Sequence, residues 1–401
     1  LLGASLGVFA AQDLFIFYIF FELALIPMAF LIGIWGDEDR TSATYGFVIY
    51  TLVGSLLMLV GVLTVGFTSA TLIDGVSFST HFDDLMAAAP LFQELPFWVF
   101  GSFLFAFAIK IPLFPFHSWQ ANAYAQAPIP AVLFMAPIMV KFGSYALVRF
   151  VIPYFPVLFE AVTPWIATLS VLSILYGAMI AITTTDIKKI LAFSSLSHMG
   201  FIVLGLVAWN EPSIQGSILQ MVNHGLTTAA LFLGFGYIMA LNPSRNLMDH
   251  GGVASTRPVV ATMIVIASMA SIGLPGLNGF VGEFMILSGA FNSAQLGSTL
   301  YAVLAAFAVI LAAMYTLRLL KFTLFGTPQH ALDSEVTSSS TLPKGWILGL
   351  FVILMVWIGF QSPTFTQFSQ EWTVVMQEYV QQVLSDFGLS GVNPSVSLPS
   401  N

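Results

Sequence analysis

The chain contains no cysteine, and only 7% of its 401 residues are charged, against roughly 25% in a soluble domain. Without cysteine there is no disulfide, no thiolate-ligated iron–sulfur cluster and no cysteine-based zinc site. With 11 Lys and Arg and a formal net charge of −8, no basic patch invites nucleic acid. No two of the six histidines have zinc-protease spacing, and no glycine-rich loop resembles a phosphate cradle. The short alternating segments of a transmembrane β-barrel are missing too. Nothing in the chain reads as a nucleotide, metal or redox-cofactor site.

What is present is apolar sequence. Hydrophobic residues make up 58% of the chain, in repeated runs of about 20, the length that crosses a hydrocarbon core. The fold class is therefore an all-α polytopic membrane protein. Ten spans are expected near 14–35, 44–67, 96–116, 131–150, 163–184, 190–209, 213–241, 258–290, 299–322 and 345–362. Leu1 to Ala10 reads as the end of a further helix whose beginning is missing, and not as a signal peptide. Most loops are short; 68–95 is acidic, with Asp74, Asp83, Asp84 and Glu94, and 323–344 is long.

Alternate loops fall on two sides, and the basic residues separate between them. One side receives Arg40, Lys188, Lys189, Arg245, Arg257, Arg318, Lys321 and Lys344, the other only Arg149. The positive-inside rule makes the first side cytoplasmic and puts the tail after Gln361 on the other. In that tail Trp372, Met376, Tyr379, Val383 and Phe387 have helical spacing, the pattern of an amphipathic surface helix.

Two spans are interrupted. Pro112 and Pro115 follow Lys110 in the third, and Gly273, Pro275, Gly276 and Gly279 precede Glu283 in the eighth. An odd separation of five makes the two run in opposite directions, as an inverted five-helix repeat with discontinuous helices requires. The boundaries expected are 1–150 for the partial helix and most of the first repeat, 151–325 for the second, and 326–401 for a cytoplasmic loop, a last span and the tail.

Four ionisable side chains sit within this lipid-grade sequence: Glu22, Lys110, Lys141 and Glu283. Each charge at mid-membrane costs roughly 2.5–3.5 kcal/mol, so each must be paired, hydrated or neutralised. A Glu22–Lys110 pair of variable spacing can trade a proton, because separation removes the term that keeps both charged. Lys141, mid-span, is a candidate to hold or release a proton, and Glu283, one turn past a break, a candidate carboxylate at one end of a path. The plainer alternatives are a static ion pair, a lysine snorkelling to the interface, and a carboxylate satisfying amides freed by the break. His224, beside Asn223, Thr227 and Thr228, fits a hydrated relay; His198, among serines, and His117, beside the first break, fit one less well. For all three a packing histidine is the alternative.

The strings FYIFFELALIPM, KIPLFPFHSW, DIKKILAFSSLSHMGF, LQMVNHG and SIGLPGLNGFVGEF resemble the antiporter-like membrane subunits of respiratory complex I, the proton-translocating NADH–quinone oxidoreductase. The likeness spans about 14–325. It implies an antiporter-like fold of fourteen helices with two inverted five-helix repeats, so that the first three helices and most of the fourth precede this chain. It also implies a non-redox subunit of a translocase in a bacterial inner membrane, assembled with other membrane subunits, neighbouring antiporter-like subunits among them, and with lipid. FMN, iron–sulfur clusters, NADH and quinone would lie on other subunits. By resemblance, Glu22 is the family's intramembrane glutamate, Lys110 its partner lysine, Lys141 the central lysine, and Glu283 the acid on the second broken helix. A glutamate at this last place is similar to the M-type branch. Where the family commonly reads HTWLPDAH, this chain has His117-Ser118-Trp119-Gln120-Ala121-Asn122-Ala123-Tyr124, so Asn122 and Tyr124 replace an acid and a histidine. The competing readings are an Mrp-type cation/proton antiporter subunit, the equivalent subunit of a membrane-bound hydrogenase or plastoquinone-reducing complex, and a structural scaffold.

Overall fold

Asp13 and Asp186 each start a membrane helix in the same way. In the computed structural model, which describes residues 1–326 and 342–389, Asp13 Oδ1 accepts from the amides of Phe15 and Ile16 at 2.8 and 3.0 Å. Asp186 Oδ1 accepts from the Lys189 amide at 3.1 Å. Both supply acceptors for amides that a first helical turn leaves unpaired.

The likeness extends to the loops that these aspartates touch. Asp13 forms an isolated bridge with His81, and Asp186 one with Asn246. The Leu14 amide donates to Thr80 O and the Phe82 amide to Gln12 O; in parallel, the Ile187 amide donates to Arg245 O and the Leu247 amide to Thr185 O. One device is built twice, at the start of the second helix of each repeat. Five spans separate the two starts, an odd number, so Asp13 and Asp186 lie at opposite ends of the bundle, as inversion demands.

The helices in chain order are α1 Leu2–Ala10, α2 Leu14–Trp35, α3 Arg40–Ala70, α4 Phe82–Phe92, α5 Phe97–Lys110, α6 Ser118–Gln126, α7 Ile129–Tyr154, α8 Pro156–Thr183, α9 Ile187–Ala208, α10 Glu211–Leu241, α11 Pro258–Ile272, α12 Asn278–Phe291, α13 Leu300–Thr323, α14 Leu342–Phe360 and α15 Ser362–Asp386. All ten expected spans are helical. Seven of them are continuous and apolar enough to cross a membrane, and α14 bends by 69° into α15. The other two are the broken pairs α5/α6 and α11/α12. The acidic 68–95 loop contains α4, with Asp83 and Asp84 in its first turn, where negative charge suits the helix dipole. Most of the 323–344 loop, and the tail beyond 389, lie outside the described residues. The tail helix α15 buries Val380, Val383 and Leu384, half-buries Trp372, Met376 and Tyr379, and leaves Phe387 exposed.

At both breaks, side chains from other helices take up the freed backbone groups. Ser173 accepts from the Phe114 amide at 2.9 Å, and Trp119 Nε1 donates to Ile109 O at 3.0 Å. At the second break Asn223 Nδ2 donates to Asn278 O at 2.7 Å. Irregular backbone at membrane depth is stable only when partnered in this way. Two glycines allow the close approaches involved. A Cβ on Gly143 would lie 2.9 Å from Phe107 O, and one on Gly279 2.0 Å from Ala270 O. Around the outside, Ile26, Phe30, Leu56, Val60, Phe307 and Ile310 are exposed, a surface suited to lipid or neighbouring subunits.

Candidate functional site

Lys141 lies where α7 departs from regular α geometry. A π turn, Met135–Met139, precedes it, and a second, Leu147–Val151, follows. Such turns displace the backbone ladder and often mark functional positions. Here the displacement leaves the Ala136 carbonyl to accept from Lys141 Nζ at 3.0 Å. The same ammonium contacts His224 Nδ1 on α10. On its other side Lys141 borders an apolar cavity of about 510 Å³, with Phe9, Leu133, Tyr145, Met221 and Phe351 in its wall. Away from that cavity, the polar side chain that meets Lys141 among the described residues is His224.

His224 leads on to Glu283. His224 Nε2 meets the Thr228 hydroxyl at 3.2 Å. The His198 ring centroid is 5.8 Å from that of His224, and His198 Nδ1 bonds Glu283 Oε1 at 2.8 Å. Glu283 also accepts from Gln220 Nε2 at 3.2 Å, and His198 Nε2 lies 3.3 Å from the Ser271 hydroxyl. A cavity of about 10 Å³ is lined by His198, Gln220, His224, Thr227, Ser271 and Glu283, close to the space that one water needs. Four of the seven expected residues, Lys141, His224, His198 and Glu283, thus form one buried polar run from α7 across α10 and α9 to α12. Its only gap is between the two imidazoles.

Glu22 and Lys110 are arranged differently. Lys110 is 2% exposed, and Glu22 is half-buried. Each is the charge that the other feels, yet among the described residues no ion pair joins them. The Lys110 ammonium instead lies 4.6 Å from the centre of the Phe21 ring, a cation–π contact. Phe21 in turn packs edge-on against Phe107 at 6.2 Å. His117 is apart from both groups: it stacks on Phe114 at 5.5 Å and meets Tyr176 at 4.8 Å. Its Nδ1 is buried with no hydrogen-bond partner among the described residues. Beyond it, Asn122 faces solvent and Tyr124 is buried, against Phe232 at 6.0 Å.

Sequence reasoning missed two sets of residues. Gln220 and Ser271 bond the polar run at Glu283 Oε1 and His198 Nε2, and Asn278 bonds Asn223 O and Thr227 beside it. Of these only Gln220, four residues before His224 on the same helix face, had a signal in the spacing. The second set is an ionic knot at one end of the bundle. Lys188 was counted as a loop charge but is buried, donating to Asp37 Oδ2 at 3.1 Å, Ala125 O at 3.1 Å and Ala127 O at 3.0 Å. Arg245 also donates to Asp37 and to Ala125 O, and pairs with Asp186 at 3.3 Å. The knot ties the end of α6 to the loop after α2 and to the start of α9. Among the described residues no three His, Cys, Asp or Glu side chains converge as metal ligands would.

Comparison with known proteins agrees with this architecture. The family model described as "NADH:quinone oxidoreductase/Mrp antiporter, TM" matches residues 11–311. The chain is 37% identical over 366 residues to "NADH-ubiquinone oxidoreductase chain 4" of Marchantia polymorpha, covering 90% of this chain and 70% of that one. It is 38% identical over 333 residues to "NADH-quinone oxidoreductase subunit M" of Rhodobacter capsulatus, covering 80% and 63%. A chain of respiratory complex I from Thermus thermophilus superposes with a TM-score of 0.82 at 33% identity, covering 95% of this chain and 78% of that one. A chain of the Mrp complex from Dietzia sp., at 21% identity and a TM-score of 0.77, covering 95% and 78%, shares the fold.

Proposed function

The chain belongs to the membrane-subunit family shared by NADH:quinone oxidoreductases and Mrp antiporters, and from that premise we propose that it moves protons as an antiporter-like subunit of complex I. The single observation that carries this reading is the buried run Lys141–His224–His198–Glu283 with its polar cavity. Groups of this kind inside a membrane protein are costly and belong to ion paths. Relatives at 34–38% identity bear the name of subunit M of NADH-quinone oxidoreductase, which supports the redox-driven complex over the free-standing antiporter.

In the mechanism, charge movement near the quinone site or in a neighbouring antiporter-like subunit alters the separation of Glu22 and Lys110. The change in field shifts the proton affinity of Lys141. Lys141 passes its proton to His224, and water in the small cavity carries it across the gap to His198 and Glu283. The subunit is a non-redox translocase: NADH, FMN, iron–sulfur clusters and quinone belong to its partners. It sits in a bacterial inner membrane, with α15 on the non-cytoplasmic side, as the loop charges favour. Its units are 1–150, 151–325 and 326–401.

The test is NADH-driven acidification of inverted membrane vesicles in Glu22→Gln and parent strains, with assembly checked in both. Loss of acidification in an assembled complex is the expected result. Undiminished acidification would reduce the chain to a scaffold or to a transporter outside complex I.

A further inference from the structure

At the non-cytoplasmic end of the second repeat, a cavity of about 220 Å³ opens between the first turns of α8, the α9–α10 turn, the end of α12 and α15. Its wall includes Glu160, Trp209, Asn210, Asn292, Gln377 and Gln381. Two of these side chains carry buried polar atoms with no hydrogen-bond partner among the described residues: Glu160 Oε2 and Trp209 Nε1. An unmet buried polar atom costs about 1–3 kcal/mol, more when charged, so a cavity of this size and polarity suits water. Trp209 takes a left-handed conformation, φ 46 and ψ 45, to make the turn, and its carbonyl accepts from Gln377 Nε2 at 3.4 Å.

The cavity floor is the first rung of a polar face. Asn210 precedes α10, and Ser213, Ser217, Gln220 and His224 follow at intervals of three and four residues, which put them on one side of the helix. Asn210 Nδ2 donates to Gly289 O at 2.7 Å, Ser213 Oγ to Asn210 O at 2.9 Å, and Gln220 Nε2 to Glu283 Oε1 at 3.2 Å. Glu283 and Gly289 share α12, roughly 9 Å apart along its axis. Asn292, at the end of α12, lines the cavity nine residues from Glu283, about two and a half helical turns.

We propose that this cavity is the aqueous mouth by which protons leave Glu283 on the non-cytoplasmic side, and that Glu160 is the carboxylate that receives them there. The inference rests on the proton-pump reading above. In the transfer, the Glu283 carboxyl loses its proton and becomes a carboxylate. The proton passes by way of the Ser217 and Ser213 hydroxyls and water to the Glu160 carboxylate, which becomes the acid and then releases it to bulk water. In this conformation Ser217 Oγ donates to Ile202 O at 2.9 Å, so the ladder is closed and conducts only when that hydroxyl turns. The α15 helix, through Gln377 and Gln381, forms the outer wall of the mouth.

The absence of cysteine makes the test clean within this subunit. In membranes carrying the assembled complex, protons delivered per electron are measured for Glu160→Gln and Glu160→Asp. They are also measured for Gln381→Cys treated from either face with a membrane-impermeant, cationic thiol reagent, the parent complex serving as control. Expected are a severalfold loss in Glu160→Gln, recovery in Glu160→Asp, and loss in Gln381→Cys only when the reagent reaches the non-cytoplasmic face. Parent-like ratios in Glu160→Gln and in labelled Gln381→Cys would overturn the mouth, provided that Glu283→Gln lowers the ratio. If Glu283→Gln also leaves it unchanged, the pump reading itself has failed. Should Glu160→Gln not assemble, the labelling experiment decides alone.

Discussion

The two repeats set ionisable groups on corresponding helices, though Lys110 precedes its break and Glu283 follows its own, and give them different neighbours. Each puts one on its second helix, Glu22 or His198, and one on its broken helix, Lys110 or Glu283. In the second repeat these groups touch, His198 Nδ1 to Glu283 Oε1 at 2.8 Å, and serine, threonine and glutamine surround them. In the first repeat the groups stay apart, and Lys110 faces the Phe21 ring at 4.6 Å. A hydrogen-bonded pair with a water-sized cavity can pass a proton on, because each member has somewhere to send it. Two charges with no ion pair between them among the described residues can mainly change the local field. On the proposed function, the second half would conduct and the first would control, with Lys141 at the junction between them.

The sharpest way to break that division is to remove the junction. Lys141→Met should cut NADH-driven proton delivery on the order of 100-fold, at the low end of what one positioned proton-transfer group supplies, while the complex still assembles; acidification assays on inverted vesicles check it. If proton delivery persisted, His224 would not receive its proton from Lys141.

The ionic knot offers a smaller effect, on stability. Lys188→Ala strips a donor from the Ala125 and Ala127 carbonyls and should cost about 1–3 kcal/mol. The lost attraction to Asp37 adds little, because Asp37 is partly exposed. A lower midpoint in thermal unfolding of the detergent-solubilised complex is the readout, and an unchanged midpoint would show that Arg245 alone secures the end of α6.

Much of this division was legible in the sequence, and the rest was not for physical reasons. Apolar runs gave all ten spans, because span length is set by the bilayer and not by packing. Pro112, Pro115, Gly273 and Gly276 marked both breaks, since each removes a donor or takes a backbone angle that other residues avoid. The ionisable candidates stood out against apolar neighbours. Partnership did not show. Glu22 and Lys110 read as a pair on charge alone, whereas the Phe21 ring that meets Lys110 is a matter of tertiary placement. Lys188 read as one loop charge among several, and its partner Asp37 is 151 residues away. Nor could the sequence join His198 to Glu283, 85 residues apart, or set His117 against Phe114 and Tyr176, away from the buried run.

The smallest effect tests the cation–π contact of Lys110. Phe21→Leu keeps the volume apolar but removes the ring face that the buried Lys110 ammonium meets. The expected outcome is a change of a few-fold or less in coupled turnover, with quinone reduction retained. A loss as deep as that of Lys141→Met would mean that the ring, and not the charge, sets the control.

The ratio of protons delivered to electrons passed, in the Glu283→Gln complex beside its parent, tests the division most directly. Glutamine keeps the shape and can still bond His198 and Gln220, but it cannot carry the proton. The account predicts a lower ratio with electron transfer from NADH still measurable. An unchanged ratio would contradict it, because protons would then leave without using the second repeat's buried run.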